Sequence, residues 1–576
     1  MHLESLIEEL GTFGPYQRCI HCILVLLKAL SVPPMMMMAF AGVEPDWWCE
    51  SRGQDETAIF TNNSYQNCQW NGTCQRIFEP ETVTIVSEWN LVCSKTWVSN
   101  TIISIQMVGV LFGSIIAGYC SDRYGRKKVV YGGLLLSTIS NLIASFSLSW
   151  IMFAVFRVLI GLGIGMTLSC SFLYRLEFVG KKWRGACTAI PSWSLGVVLF
   201  AILCWFIRNW KWLHVTIVAI NIPLLLTWFV MPESLRWLVA KGHLEEARRT
   251  VTRIAKFNKK PVPNMSILEL IAEEERAERK KAKSYSYIDL VTTRTLRSKT
   301  LITSFLWMSI SIVYYAITFG IKNLSGDFYL NLLIMGLLEV PMSFVELFMV
   351  SVFSRRWACA ILLMFSAVAC FGVAIVTKLA PAHIKVPLEN GFAISAKLST
   401  ISAWVLTAAM TSEQFPTVIR NLAYAAQNTA ARFGGIVGAQ LVSLGSKDDL
   451  MPPFLAMGIL MSFTALSCFG LEETSKTALE DTMKKYTREG VNEEVEGSLP
   501  LNDITLTMND ISKGDIAEMD EYCTYAKSCG GTEEGGSICQ SKVKTIMGLV
   551  DNSKPEKNEG EEQRSSNTFL KSEHDT

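Results

Sequence analysis

Gly118-Tyr119-Cys120-Ser121-Asp122-Arg123-Tyr124-Gly125-Arg126-Lys127-Lys128 is a short charged stretch between two apolar runs, 97–119 and 129–149. Its glycines permit a tight turn close to a neighbouring helix, and Asp122 can cap the next helix or pair with a nearby arginine. An isolated basic loop would read the same way, so the weight comes from what repeats around it. Outward from this stretch, apolar spans recur at 19–40, 97–119, 129–149, 151–174, 186–207, 211–230, 300–320, 328–351, 356–377, 397–413, 421–444 and 452–471. Each is near the roughly twenty residues that cross a bilayer core as a helix. The span at 397–413 is short and begins at Lys397, and 129–149 and 151–174 read as a hairpin with almost no loop.

Charge placement orders these spans. The connectors after spans 2, 4, 6, 8 and 10 carry Arg123, Arg126, Lys127, Lys128, Lys181, Lys182, Arg184, Arg236, Lys241, Arg355, Arg356 and Arg420, while those after odd spans are short or weakly basic. The positive-inside rule then puts both termini in the cytoplasm. The expectation is an all-α membrane protein with twelve transmembrane helices in two six-helix halves. It divides into a cytoplasmic N-terminus (1–18), a first half (19–230), a linker (231–298), a second half (299–471) and a disordered cytoplasmic tail (472–576).

Composition agrees. Half of the 576 residues are apolar and 18% are charged, against about 25% in a typical soluble protein. Mean hydropathy is +0.28. A net charge of +1 argues against nucleic acid as a partner, which calls for a concentrated basic footprint. The first residues carry Glu4, Glu8 and Glu9 and no basic region before the first apolar run, unlike a cleavable signal peptide.

Residues 41–96 are expected outside the cytoplasm. They hold two glycosylation sequons, Asn62-Asn63-Ser64 and Asn71-Gly72-Thr73, on the side where that modification occurs. Cys49, Cys68, Cys74 and Cys93 share the segment and can form two disulfides in any of three pairings. In the linker, the charged run 273–281 reads as surface helix that joins the halves without belonging to either.

The stretch 118–128 resembles the signature loop of the major facilitator superfamily, whose members alternate between outward-open and inward-open states. The resemblance implies that Asp122, Arg123, Gly125 and Arg126 help hold one state closed. Val352-Phe353-Ser354-Arg355-Arg356 looks like a second copy that has kept its arginines and lost the acid and the glycine, implying a weaker latch. Further segments resemble solute carrier family 22, the organic cation, organic anion and carnitine transporters. These are Thr84–Cys93 with Glu88-Trp89-Asn90 (an aspartate is usual at the last), Pro232-Glu233-Ser234-Leu235-Arg236-Trp237-Leu238, Tyr314-Tyr315, and Glu413-Gln414-Phe415-Pro416-Thr417-Val418-Ile419-Arg420. The likeness runs over roughly residues 10–475, implies a plasma-membrane carrier, and adds Glu413 and Arg420 to the gating set.

Ionisable groups inside apolar spans are costly and usually face the protein interior or an aqueous path. Here they are Lys28, Arg157, Glu339, Glu346, Lys397 and Arg432. Arg157 and Lys397 can equally be structural partners of acidic groups or helix ends. Arg432 can pair bidentately with a carboxylate or sulfate, or sit in an internal salt bridge. By resemblance its place holds arginine in the anion and carnitine branches and aspartate in the cation branch. Glu339, before Pro341, matches a position near the substrate cavity. Together Glu339 and Arg432 suit a zwitterion such as a betaine or carnitine, unless they pair with each other. Trp307 and Tyr314 lie seven apart on one helix face. They match cavity-lining aromatics in the family and can hold a quaternary ammonium by cation–π attraction; packing or interfacial anchoring is the alternative. Trp193, beside Pro191, is a further cavity candidate.

The expected function is alternating-access transport of small organic ions, polyspecific, with carnitine-like zwitterions or organic cations favoured. Organic-anion transport or exchange, and a transporter-like fold without transport, are the alternatives. No nucleotide-binding loop is present, so no cofactor is expected and transport is facilitated, or coupled to an ion or counter-substrate. His21, His214, His243 and His383 form no metal-ligand pattern and no nucleophile–base arrangement emerges, which weighs against an enzyme. Membrane lipid and the small substrate are the expected partners.

Overall fold

The computed structural model describes residues 3–50, 66, 68, 75–188, 190–263, 268–273, 286–324, 326–416, 418–445 and 449–474. Asn62, Asn71, Cys74 and the tail from 475 lie outside the described residues. The first crossing is α1 (Pro15–Leu30) and α2 (Val32–Ala41), broken at Ser31 just before Pro33 and Pro34. The first half continues with α3 (Trp97–Tyr124), α4 (Arg126–Ala144), α5 (Trp150–Leu176), α6 (Ser192–Phe206) and α7 (Trp210–Leu226). Two short helices follow, α8 (Leu235–Lys241) and α9 (Leu244–Phe257). The second half is α10 (Arg294–Gly320), α11 (Phe328–Val352), α12 (Arg355–Leu379), α13 (Ala382–Gln414), α14 (Arg420–Leu441) and α15 (Met451–Ser467).

Nine helical spans among the described residues are long and apolar enough to cross a membrane. The other three crossings, α4, α6 and α14, are respectively opened by three basic residues, shortened by Pro191, and diluted by Asn, Gln and Arg. Two spans differ from the hydropathy reading. The tenth is not the short 397–413 but the 33-residue α13. Its first half carries His383, Lys385, Glu389 and Asn390, which hid it, and Lys397 sits mid-helix rather than at an end. The fifth begins at Ser192, and 181–188 forms a separate helix.

Helix association in a membrane relies on close packing more than on hiding apolar surface from water. α3 and α5 show this reciprocally. A Cβ on Gly109 would lie 2.2 Å from the Val158 carbonyl oxygen, and one on Gly161 2.2 Å from that of Gln106. Across the halves, α3 packs on α14 and α6 on α11. Within the first half, the buried Arg157 donates to the Pro34 carbonyl (3.2 Å) and to Gln106 Oε1. It therefore anchors the break in the first crossing.

The linker is fastened to both halves. Asn258 accepts from the Tyr16 amide and donates to Leu10 O and Gln17 Oε1 (2.8–2.9 Å), while Leu290 packs with Phe415 and Ile419. Over these stretches it is not a free tether, because its apolar residues cover the ends of the helices they touch.

The segment after α2 contains an antiparallel pair, β1 (Trp47–Glu50) and β2 (Gln75–Phe78), with Cys49 opposite Arg76. Of the four candidate cysteines, Cys68 is bonded to Cys93, and Cys49 is also disulfide-bonded. Glu88 accepts from Trp210 Nε1 (2.8 Å) and Lys211 Nζ (2.5 Å), and Trp89 packs on Phe153 and Trp210. Asn90, with φ of 52°, accepts from Arg76 (3.1 Å), a bond that an aspartate would also make. This segment defines one face of the molecule, the loop face; the opposite face, bearing the stretch 118–128, is the latch face.

Candidate functional site

Trp193, Trp307, Tyr314, Glu339 and Arg432 come from four helices and meet at mid-depth between the halves. Trp193 Nε1 on α6 donates to the Tyr314 hydroxyl on α10 (2.7 Å), a bond from one half to the other. Tyr314 faces Trp404 edge-on, Trp404 faces Trp307, and Trp307 faces Tyr424, at centroid separations of 6.0, 5.9 and 5.3 Å. The Trp307 indole also donates to Thr411 (2.9 Å), which fixes the ring. Four aromatics from α10, α13 and α14 thus form a continuous wall.

Glu339 does not pair with Arg432. Its carboxylate lies 2.8 Å from Lys397 Nζ, and both side chains are about 1% exposed. Neither group has another hydrogen-bond partner among the described residues, so a buried ion pair stands there without the extra bonds that usually support one. The same ammonium sits 5.5 Å from the Tyr314 ring centroid, where a cationic ligand would also be attracted.

Arg432 reaches Tyr315 OH with Nη1 at 3.4 Å, its Nε is buried without a partner, and no carboxylate pairs with it among the described residues. Tyr315 in turn meets Tyr314 edge-on at 5.4 Å. One cation of the site is therefore neutralised, and the other is uncommitted beside the aromatic wall. Two helical turns along α11 from Glu339, Glu346 is buried and accepts from Ser402 (3.3 Å). Lys28 and Arg157 make no contact with this cluster that the structure records.

On the latch face, Arg126 Nη1 donates to Asp122 (2.6 Å) and Ser121 (2.8 Å), and Nε reaches Glu177 at 3.4 Å. Glu233 accepts from the amides of Arg126, Lys127 and Ser234 at 2.8–3.0 Å and so caps α4. Burial still pushes its carboxyl above the ordinary range. Gly125 has φ of 107°, and a Cβ there would lie 2.3 Å from Glu233 Oε2; only glycine suits both. Arg123 is exposed and bonds Tyr119 instead (2.8 Å), so it stands outside the latch.

The second half repeats the plan with different residues. Glu473 accepts from Ser354 and from the amides of Arg355 (3.1 Å) and Arg356 (3.3 Å), as Glu233 does in the first half. Arg355 reaches Glu413 (3.4 Å), which also accepts from Thr474 (2.6 Å). The acid missing from 352–356 is supplied by distant segments. Among the described residues Arg420 Nε and Nη2 are buried without partners, and the ion pair of Glu413 is with Arg355 rather than Arg420. Glu177, Glu473 and Thr474 were not singled out in the sequence. The signal lay in paired spacing: Glu177 and Arg184 are seven apart, as are Glu413 and Arg420, and Glu233-Ser234 parallels Glu473-Thr474.

The model of the family described as "Sugar (and other) transporter" matches residues 53–486. The human protein named organic cation/carnitine transporter 2 is 32% identical over 411 residues, covering 70% of this chain and 72% of its own. The Drosophila melanogaster organic cation transporter protein is 29% identical over 84% of this chain and 94% of its own, and bovine solute carrier family 22 member 7 is 28% identical over 85% and 96%. Among solved structures, the inward-open form of the xylose transporter XylE from E. coli superposes with a TM-score of 0.58 at 15% identity, covering 82% of this chain and all of that one. XylE bound to 6-bromo-6-deoxy-D-glucose gives 0.55 at 16%, covering 82% and 99%.

Proposed function

The chain belongs to the organic cation/carnitine transporter family, solute carrier family 22, within the major facilitator fold, and from that premise we propose that it carries zwitterions pairing a quaternary ammonium with a carboxylate. It is a multi-pass membrane transporter and not an enzyme. The observation that carries the substrate reading is the unequal commitment of its two cations. Lys397 is spent on Glu339, whereas Arg432 has only a tyrosine hydroxyl. A carboxylate is the natural partner for a guanidinium so placed. The wall of Trp307, Tyr314, Trp404 and Tyr424 supplies the faces for an ammonium. Carnitine-like compounds carry both ends.

Transport is by alternating access, with the two halves rocking about this cluster. Both latch-face loops are basic, which supports a cytoplasmic latch face with both termini inside, and the family and the sequons of the first loop fit the plasma membrane. Asn62 and Asn71 are then outside and open to glycosylation. The polar bonds that cross between the halves lie on the loop face and at mid-depth, which corresponds to a carrier closed to the outside.

A simple organic anion is the second reading, favoured by the same uncommitted Arg432. Uptake of labelled carnitine, tetraethylammonium and a monocarboxylate into cells with matched surface amounts of wild type and Arg432→Ala separates the readings. Carnitine uptake that collapses in the variant, with little tetraethylammonium uptake in either, is the expected result. Monocarboxylate uptake that outruns carnitine moves the protein to the anion class. Tetraethylammonium uptake that survives the substitution sinks the Arg432 assignment.

A further inference from the structure

Glu339, Glu346 and Lys397 form a buried group of two acids and one base. The acids share a face of α11, seven residues and about 10 Å apart along the axis. Lys397 is already 2.8 Å from Glu339. Glu346 is 7% exposed, and its recorded partner is the neutral Ser402 hydroxyl. Apart from Lys397, which is held by Glu339, the helices packed on this part of α11 bring it no cation among the described residues. α6 has Cys204 as its titratable side chain and no acid or base. On α13, His383, Lys385 and Glu389 lie toward the loop face, and Glu413 is held by Arg355 and Thr474. With both acids ionised the group carries an uncompensated negative charge within the span, a costly state that a bound proton removes.

We propose that Glu346 carries a dissociable proton in the empty carrier and releases it when the ammonium end of a substrate enters, so that the carrier exchanges a proton for the cationic end of its cargo. The proposal rests on the zwitterion reading above. The acid–base group of α11 and α13 is neutral in both states, and Arg432 stays uncompensated until the substrate carboxylate arrives. When empty, Glu339 and Lys397 cancel and Glu346 is neutral. When loaded, two carboxylates face Lys397 and the substrate ammonium, while the substrate carboxylate is met by Arg432. In the step between, the O–H bond of the Glu346 carboxyl breaks, its electron pair stays on the carboxylate, and the proton passes to water on the side from which the substrate entered, which in this outside-closed state is the latch face. Glu346 lies toward that end of α11, six residues from Val352.

Two measurements on the full-length chain in lipid nanodiscs test this. The first needs no substrate: the infrared carbonyl band of a protonated carboxylic acid is recorded at neutral pH in wild type, Glu346→Gln and Glu339→Gln. The expected result is a band, shifted by deuterium exchange, that is missing only from Glu346→Gln. A spectrum unchanged by that substitution overturns the proton site. The second follows protons released into weakly buffered medium as L-carnitine or tetraethylammonium is added, with binding measured in parallel. About one proton per bound ligand in wild type, and binding without release in Glu346→Gln, supports the exchange. Binding to wild type without release overturns it. If neither compound binds, the zwitterion reading and the exchange both fall, while the infrared band still decides whether Glu346 holds a proton.

Discussion

The two faces of this transporter differ in the hydrogen bonds that cross between its halves. On the loop face, besides bonds within the first half such as those of Glu88, several run between the halves: Lys322 donates to Ser99 (3.0 Å) and Asn100 (2.8 Å), Thr82 meets Tyr329 (3.1 Å), and Gln440 donates to Ser104 (2.9 Å), which donates to the Ile436 carbonyl (3.1 Å). On the latch face they run within each half: Arg126 with Asp122, Glu177 and Glu233, and Arg355 with Glu413 and Glu473. Among the described residues no hydrogen bond joins the halves there. The difference separates two tasks. Bonds within a half make it a rigid body that moves as one piece. Bonds between halves define which state the pair is in, and they are the ones that must break for the other face to close.

Removing the centre shared by both faces has the largest expected effect. Lys397→Met strands a buried carboxylate, at about 3–5 kcal/mol, seen as a fall in thermal stability of the purified protein. Adding Glu339→Met should restore most of that stability without restoring transport. A double variant no more stable than the single one would show that the pair is not the source of the loss.

Next comes rigidity within the first half. Gly125→Ala puts a Cβ against Glu233 in a backbone conformation that costs a non-glycine residue about 1–3 kcal/mol. Hydrogen exchange should rise at the start of α4 and the end of α3 and stay unchanged on the loop face. An increase spread over both faces would mean that the latch is not confined to its half.

The link between halves is weaker singly. Lys322→Met removes the two hydrogen bonds to Ser99 and Asn100, groups that water can satisfy when the halves part, without unfolding either half. Exchange should increase at the loop-face ends of α3 and α10 alone, with little change in melting temperature. Protection that stays as in wild type would show that Lys322 does not hold the halves together.

The smallest effect is a pH dependence of the latch. Burial raises the Glu233 carboxyl above its ordinary value, so the folded state holds that proton more tightly than the unfolded state. Its contribution to stability is therefore full below the ordinary carboxylate range and declines as pH rises through the raised value. The stability difference between wild type and Glu233→Gln, followed from acid to neutral pH, should shift in that direction. The opposite slope would show that the three amide bonds outweigh the burial.

The crossings were readable because a helix in hydrocarbon must bond its own backbone and be apolar over its length, a constraint each segment meets alone. Where a segment met it with protein help, reading failed. α13 keeps His383, Lys385 and Glu389 because its neighbours and the loop face accommodate them, and hydropathy lost half of it. Arg432, Trp307 and Tyr314 could be named from position and resemblance, but not their partners. Nothing in the order of residues pairs Lys397 with Glu339, 58 positions away in the chain, or brings Glu473 to replace the acid absent from 352–356. Local sequence determined the number of helices, their ends where glycine or proline intervenes, and the charge that sorts the two faces, since each depends on residues within one turn or one span. Which buried charges cancel, and which cation is left for a substrate, only the packed structure decided, because those depend on distances of a few ångströms between helices remote in sequence.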